Sequence, residues 1–444
     1  MGRIMTVPTG NVHKVIARYM LADGFDLVLD LRKSKGLYLY NSKTKRKMLD
    51  FFSFFASLPV GHNHPRMVRK SFVRKLGEVA VNKPANSDLY TQEMADFVDT
   101  FSRIARPRYM KHFFFISGGA LGVENALKTA FDWKVRKNFK KGYKKEVGTK
   151  VIHLQQAFHG RTGYTLSLTN TADPRKTNYF PKFKWPRVLN PKVRFPVKGK
   201  NLKAARDAEN KSLDQIDKAI KRYGDDIAAF IMEPIQGEGG DNHFRRQYHK
   251  AVERICKKNE IMFIVDEVQA GVGLTGKMWA HQNYDVVPDM IAFGKKTQVC
   301  GCMVGSRVDE IEDNVFNVSS RLNSTFGGNL VDMVRSQRYF EIIKEERLVD
   351  NARKRGDYLL KNLQELQEEF PEIISNARGI GLMCAVDTPS REYRTRLLSE
   401  IYKRDMVILP CGHTTIRFRP ALTIKDGHID QGVNTIRQSL KSLG

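Results

Sequence analysis

Between about Lys111 and Gly305 short apolar runs recur along the chain: HFFFIS, KVIHL, IAAFIME, IMFIVDE, DMIAFG and GCMVGS. Polar segments with helical spacing separate them. Apolar runs without strict alternation predict strands buried on both faces, and their alternation with helices predicts an α/β unit, a mostly parallel sheet covered by helices. From about Leu330 to Glu369 the pattern becomes a long charged stretch of helical period, closing with NLQELQEEF before Pro371, which predicts a helical bridge. Beyond it, GIGLMCAVD, MVILPCG and TIRFRPAL read as short strands of a smaller C-terminal α+β domain. The implied organisation is an N-terminal segment over 1–50, a large domain over 51–330, and a bridge with a small domain over 331–444.

Ligands of such a sheet gather at the carboxyl ends of its strands, so the residues placed there carry the candidate chemistry. Asp266 closes IMFIV, and Lys295 follows DMIAFG one strand later, with Lys296 as its competitor and Gly294 leaving room for a ring to approach. A strand ends at Ser117, Gly118 and Gly119 turn the chain, and a helix begins at SGGALGVENALKTAFDW, a junction whose free amides suit an anion. In AFHGRTGYTLSLT, Phe158 offers a flat face and Arg161 a planar fork for a carboxylate. An amine, a carboxylate, anion donors and an aromatic face are together what pyridoxal phosphate requires of a protein. Each feature alone is common; their joint placement at strand ends is not.

Composition changes this picture little. A chain of 444 residues with 41% hydrophobic and 28% charged residues is that of a globular protein of more than one domain. The net charge of +27 would attract polyanions, but the basic residues are scattered, with a local concentration over Lys134 to Lys150, and aromatics are not interleaved as base-stacking would need. A solvated basic surface is expected, with no specific nucleic acid partner. Five cysteines suit a reducing compartment, so a cytoplasmic location is expected. Cys300 and Cys302 form a lone CxC and His62 and His64 a lone HxH, neither with a second half at metal-ligand spacing, so no metal is expected. The start MGRIMTVPTG has no apolar core for a signal peptide, and the run near Phe51 to Val60 is too short to cross a bilayer. Gly2 and Thr6 fit a loose acylation pattern of the kind chance supplies often.

Taken together, AFHGRTG, MEPIQGEGG, DEVQAGVGLTG, FGKK and STFGGN resemble, in order and separation, the class III or ω-amino-acid aminotransferases of fold type I, and the resemblance runs from GHNHP at Gly61 to FRPAL at Arg419. It implies pyridoxal 5'-phosphate as cofactor, with Gly119 and Ala120 on its phosphate and Phe158 stacked on its ring. Asp266 would pair the pyridine nitrogen, Gln269 would lie near the phenolic oxygen, and Lys295 would hold the Schiff base. Thr325 would reach the phosphate from the partner subunit of a homodimer with shared active sites. NKPANSD, HGRTGYTLSLTNT, FGKKTQVCG and SRLNSTFGGNL are similar to the branch acting on the ε-amine of L-lysine. Leu121, Ala270 and Leu274 depart from the wording of the class at large, which weighs against an acetylornithine or 4-aminobutyrate enzyme. This branch implies transfer from L-lysine to 2-oxoglutarate, giving 2-aminoadipate 6-semialdehyde and L-glutamate through alternating pyridoxal and pyridoxamine phosphate. It also implies Arg161 on the distant α-carboxylate, and a Glu238–Arg419 pair that opens when a dicarboxylate binds. Another ω-amine donor, ornithine or 4-aminobutyrate, stays open, as does, more remotely, a basic nucleic-acid-binding protein on an inactive aminotransferase fold.

Overall fold

A computed structural model describes residues 6–443, so Gly2 of the acylation pattern lies outside the described residues. The largest sheet has seven strands in the order Met110–Ile116, Cys300–Gly305, Met290–Phe293, Met262–Asp266, Ile227–Met232, Lys150–Leu154 and Arg187–Val188. The last five run parallel, whereas Cys300–Gly305 is antiparallel to both its neighbours. The reason is length. The link over 294–299 is far shorter than the dozen or so residues a parallel crossover needs, so the chain must turn back on itself.

Every residue of Ile227–Met232, Met262–Asp266, Met290–Phe293 and Cys300–Gly305 is buried, which explains why these runs show no alternation. On one face the helix Gly119–Lys140 lays Val123, Ala126, Leu127, Ala130 and Trp133 over Val151, Ile231, Ile264 and Ala292. On the other, Phe97 and Phe101 of the helix Gln92–Ile104 pack with Phe293 and with Phe340 of the helix Leu330–Glu345. Burying each such phenylalanine stabilises the fold by roughly 1.5–3 kcal/mol.

The helical bridge is two helices, Leu330–Glu345 and Leu348–Glu369, broken where Arg347 adopts a left-handed φ of 51°. The C-terminal part carries an antiparallel sheet ordered Ser375–Ile380, Met383–Asp387, Thr415–Phe418, Leu409–Cys411. The N-terminal strands Tyr38–Asn41 and Arg46–Asp50 form their own small sheet with Met406–Val407, so the beginning of the chain packs onto its end.

The basic run from Lys134 is in large part the solvated face its composition suggests, with Lys140, Lys144 and Lys145 exposed, but its first lysines are engaged in ion pairs. Lys134 is fully buried against Asp225 at 2.9 Å, Lys137 bridges Glu260 and Glu310, and Lys141 bridges Asp225 and Glu260. All five cysteines are buried free thiols. Among the described residues, no helix is long and apolar enough to cross a membrane.

Candidate active site

At the carboxyl ends of the parallel strands a cavity of about 280 Å³ is lined by Gly119, Ala120, Phe158, His159, Glu233, Asp266, Gln269 and Lys295, among others. It shares Phe158, Arg161, Gln269 and Lys295 with an outer cavity of about 620 Å³ that reaches the small sheet. The two form one funnel, with Lys295 at the join.

The two adjacent lysines are separated by backbone geometry. Lys295 takes a left-handed φ of 51° at the start of the turn Lys295–Thr297, and its side chain faces both cavities. Lys296 lines neither; it is buried and donates from Nζ to the Gln269 carbonyl at 2.7 Å. Burial pulls the Lys295 amine below the ordinary lysine value, opposed by the nearby Asp266 carboxylate. Deeper burial drives Lys296 further down. Gly294 clears no room for a ring: a Cβ there would stand 3.0 Å from Cys300 Sγ and 3.4 Å from Gly119 Cα. Its lack of a side chain instead brings the turn before the helix Gly119–Lys140 against the lysine.

Asp266 ends its strand with one carboxylate oxygen accepting the Val268 N–H at 3.0 Å and the other 2.8 Å from His159 Nδ1. His159 is buried, and its Nε2 has no partner. Glu233 closes the neighbouring strand and accepts the Phe158 and Gly237 N–H groups, each at 2.9 Å. Burial raises its carboxyl to about 7, and the Asp266 charge adds to the rise while His159 opposes it. The AFHG turn seats itself against the start of the helix Gly119–Lys140 because Gly160 has φ +126° and no Cβ, which would otherwise lie 2.5 Å from Ala120 Cβ.

The funnel departs from expectation at the substrate end. Arg419 lines neither cavity and does not pair with Glu238. It is wholly buried, forked onto Asp241 at 2.5 and 2.9 Å, with Nε on Gln269 Oε1 at 3.0 Å. Whereas Arg419, just past the end of the strand Thr415–Phe418, does not reach the cavity wall, Arg417, within that strand, does. Its Nη1 touches Gln269 Oε1 at 3.3 Å, its Nε has no partner, and among the described residues no carboxylate pairs with it. Glu238 is paired with Lys176 instead. Arg161 is exposed at the mouth of both cavities. Thr325 is exposed on the loop before the helix Leu330–Glu345 and lines neither cavity of its own chain.

Four residues went unassigned in the sequence: His159, Glu233, Lys176 and Arg417. Glu233 was legible by the reasoning applied to Asp266, since both are carboxylates closing fully apolar strands. Nothing in the spacing of Lys176 distinguishes it from other surface lysines.

An amine lowered by its surroundings, a carboxylate held by a histidine and the start of a helix face one cavity, which is the set of groups a lysine-linked cofactor needs. The residues fit pyridoxal phosphate: Lys295 would hold it, Asp266 would face its ring nitrogen, and the Gly119–Ala120 turn would take its phosphate. The chain belongs to the class-III aminotransferases, pyridoxal-phosphate-dependent transaminases whose family model matches residues 20–440. It is 50% identical over 431 residues to the L-lysine-epsilon aminotransferase of Mycobacterium tuberculosis, covering 97% of this chain and 95% of the relative. The enzyme of the same name from Amycolatopsis lactamdurans is 48% identical over 446 residues, covering 99% and 98%. A solved structure of lysine aminotransferase from M. tuberculosis superposes with a TM-score of 0.96 at 48% identity, covering 99% of this chain and 100% of that one.

Proposed function

We propose that this protein is an L-lysine 6-transaminase that moves the ε-amino group of L-lysine to 2-oxoglutarate, giving 2-aminoadipate 6-semialdehyde and L-glutamate. The observation that carries this reading is near-half identity, along nearly the whole chain, to relatives named for lysine ε-amino transfer. Bound pyridoxal phosphate supplies an electron sink for the carbon that loses its proton. Lys295, whose amine burial pulls below the ordinary lysine value, takes that proton at Nζ and returns it, acting as the base in each half-reaction. Asp266, oriented by His159, would hold the ring nitrogen's proton. Phe158 would cover a ring face and Gln269 would lie beside the ring oxygen, since both line the inner cavity.

Lysine enters with its ε-end toward Lys295 and its α-carboxylate toward Arg161 at the mouth. The dicarboxylate 2-oxoglutarate brings the carboxylate beside its reacting carbon to Arg417, which replaces Arg419 in this role because Arg419's charge is already spent on Asp241. Thr325, exposed in a single chain, completes the phosphate site of a partner subunit in a homodimer. Five unpaired thiols suit a cytoplasmic enzyme. The test is an amine-donor panel with purified enzyme and 2-oxoglutarate, with identification of the product from lysine. A semialdehyde that cyclises with its own α-amine supports ε-transfer; a 2-keto acid, or preference for ornithine or 4-aminobutyrate, rejects it.

A further inference from the structure

We infer that Lys176 sets the balance between the two half-reactions by competing with Arg417 for the Glu238 carboxylate. The inference rests on the reading of L-lysine as donor and 2-oxoglutarate as acceptor. The wall of the outer cavity is rich in cations: Arg161, Lys176, Arg391, Arg394 and Arg417 face it, against the carboxylates Asp173 and Glu238. Asp173 is already engaged, taking Arg175 Nε at 2.9 Å and Nη2 at 3.0 Å. Glu238 is therefore the carboxylate left to answer the charge of Arg417.

It does not do so here. One oxygen of Glu238 is bound by Lys176 Nζ, and the other is buried without a partner, while Arg417 keeps an unpartnered Nε. The main chain of Glu238 is held, because its carbonyl accepts the Gly412 N–H at 2.9 Å, while its side chain lines the same cavity as Arg417. Lys176 is fixed in turn by the short turn Pro174–Lys176, capped by Asp173. With Glu238 on Lys176, Arg417 is free for the carboxylate of 2-oxoglutarate. With Glu238 on Arg417, the pocket floor is neutral and accepts the apolar ε-end of lysine. The second arrangement frees an ammonium that stands 28% exposed and can hydrate, so each position of Glu238 leaves a tolerable charge distribution.

Lys176 is thus a positioning residue acting through Glu238, and the holoenzyme can report it. Single-turnover rates are measured for L-lysine with the pyridoxal form and for 2-oxoglutarate with the pyridoxamine form, in Lys176→Met, Lys176→Gln, Lys176→Arg and Glu238→Gln. Removing the ammonium should lower kcat/KM for 2-oxoglutarate by about tenfold or more, mainly through KM, while the lysine half-reaction is unchanged or faster. Lys176→Arg should restore most of the loss. In a Glu238→Gln background, Lys176→Met should change the 2-oxoglutarate step less than about twofold. A full loss in that background would show that Lys176 touches the substrate directly and would overturn the inference, as would equal losses in both half-reactions. Retention of cofactor absorbance by Lys176→Gln guards against misfolding of the Met variant. If lysine is not the donor, the wild-type panel fails first, whereas the 2-oxoglutarate arm still reads Lys176.

Discussion

Two arginines two residues apart, Arg417 inside the strand Thr415–Phe418 and Arg419 just beyond it, should fail in different ways. Arg419 is wholly buried with its guanidinium forked onto Asp241, itself wholly buried, and donating also to the Phe418 carbonyl at 2.8 Å. Arg419→Ala strands the Asp241 carboxylate away from water. Breaking a buried pair from one side costs about 3–5 kcal/mol, a large part of a typical domain's stability. Arg417 has no carboxylate to strand, so Arg417→Ala should leave stability within about 1 kcal/mol of wild type. It should instead lose a charge-assisted contact to 2-oxoglutarate worth roughly 1.5–3 kcal/mol, a rise in KM of about 10- to 150-fold. Urea unfolding followed by circular dichroism gives the first quantity and steady-state kinetics the second. An Arg419→Ala enzyme as stable as wild type but with a weakened 2-oxoglutarate KM, beside an Arg417→Ala enzyme with unaltered KM, would refute the assignment.

Lys295→Ala should abolish turnover and the visible absorbance of lysine-bound cofactor, whereas Lys296→Met, which removes an amine that never reaches the cavity, should keep both; borohydride trapping followed by peptide mapping checks which lysine is modified. Glu233 binds its proton more tightly folded, at about 7, than at its ordinary 4.5, so its contribution to stability is full below about 4.5 and is lost as pH rises through about 7. The difference in unfolding free energy between wild type and Glu233→Gln, measured on cofactor-free protein, should therefore change by about 3 kcal/mol across that window, and a pH-independent difference would count against it. Retention on nucleic acid should be sequence-independent and vanish with salt, since many clustered lysines are already paired; selective binding that survives high salt would contradict this.

The strands of the large sheet were legible because burial on both faces leaves unbroken apolar runs, as in IAAFIM and MFIVD. The antiparallel return of Cys300–Gly305 is not visible in its own composition, which matches that of its parallel neighbours; it follows only from the short link before it. The two-residue strand Arg187–Val188 is too short to leave any pattern. Lys295 and Asp266 were legible because a charged residue closing an apolar strand has few reasons to be there. Arg417 and Arg419 were not separable by the same logic. They stand two residues apart in one short motif, and Arg419 is taken up by Asp241, a residue brought in from a turn more than a hundred positions away with a left-handed φ of 47°.

Contacts made by one acid bind the parts of the site together. Glu233 accepts the Phe158 N–H on one oxygen and the Gly237 N–H on the other, so the residue that would cover the ring and the turn that carries Glu238 hang from a single carboxylate. That turn also supplies Asp241, which fixes Arg419, which donates to Gln269, which accepts in turn from Arg417. His159, next to Phe158, orients Asp266. Hydrogen bonds and short stretches of main chain thus connect Asp266 to Arg417. A buried carboxyl raised to about 7 is a poor choice for stability alone, since an apolar side chain there would not be opposed by desolvation. What an apolar side chain could not do is accept two main-chain donors from different turns. The physical case for an acid at position 233 is therefore geometric: it holds the turn of Phe158 and the turn of Glu238 in fixed relation across the funnel.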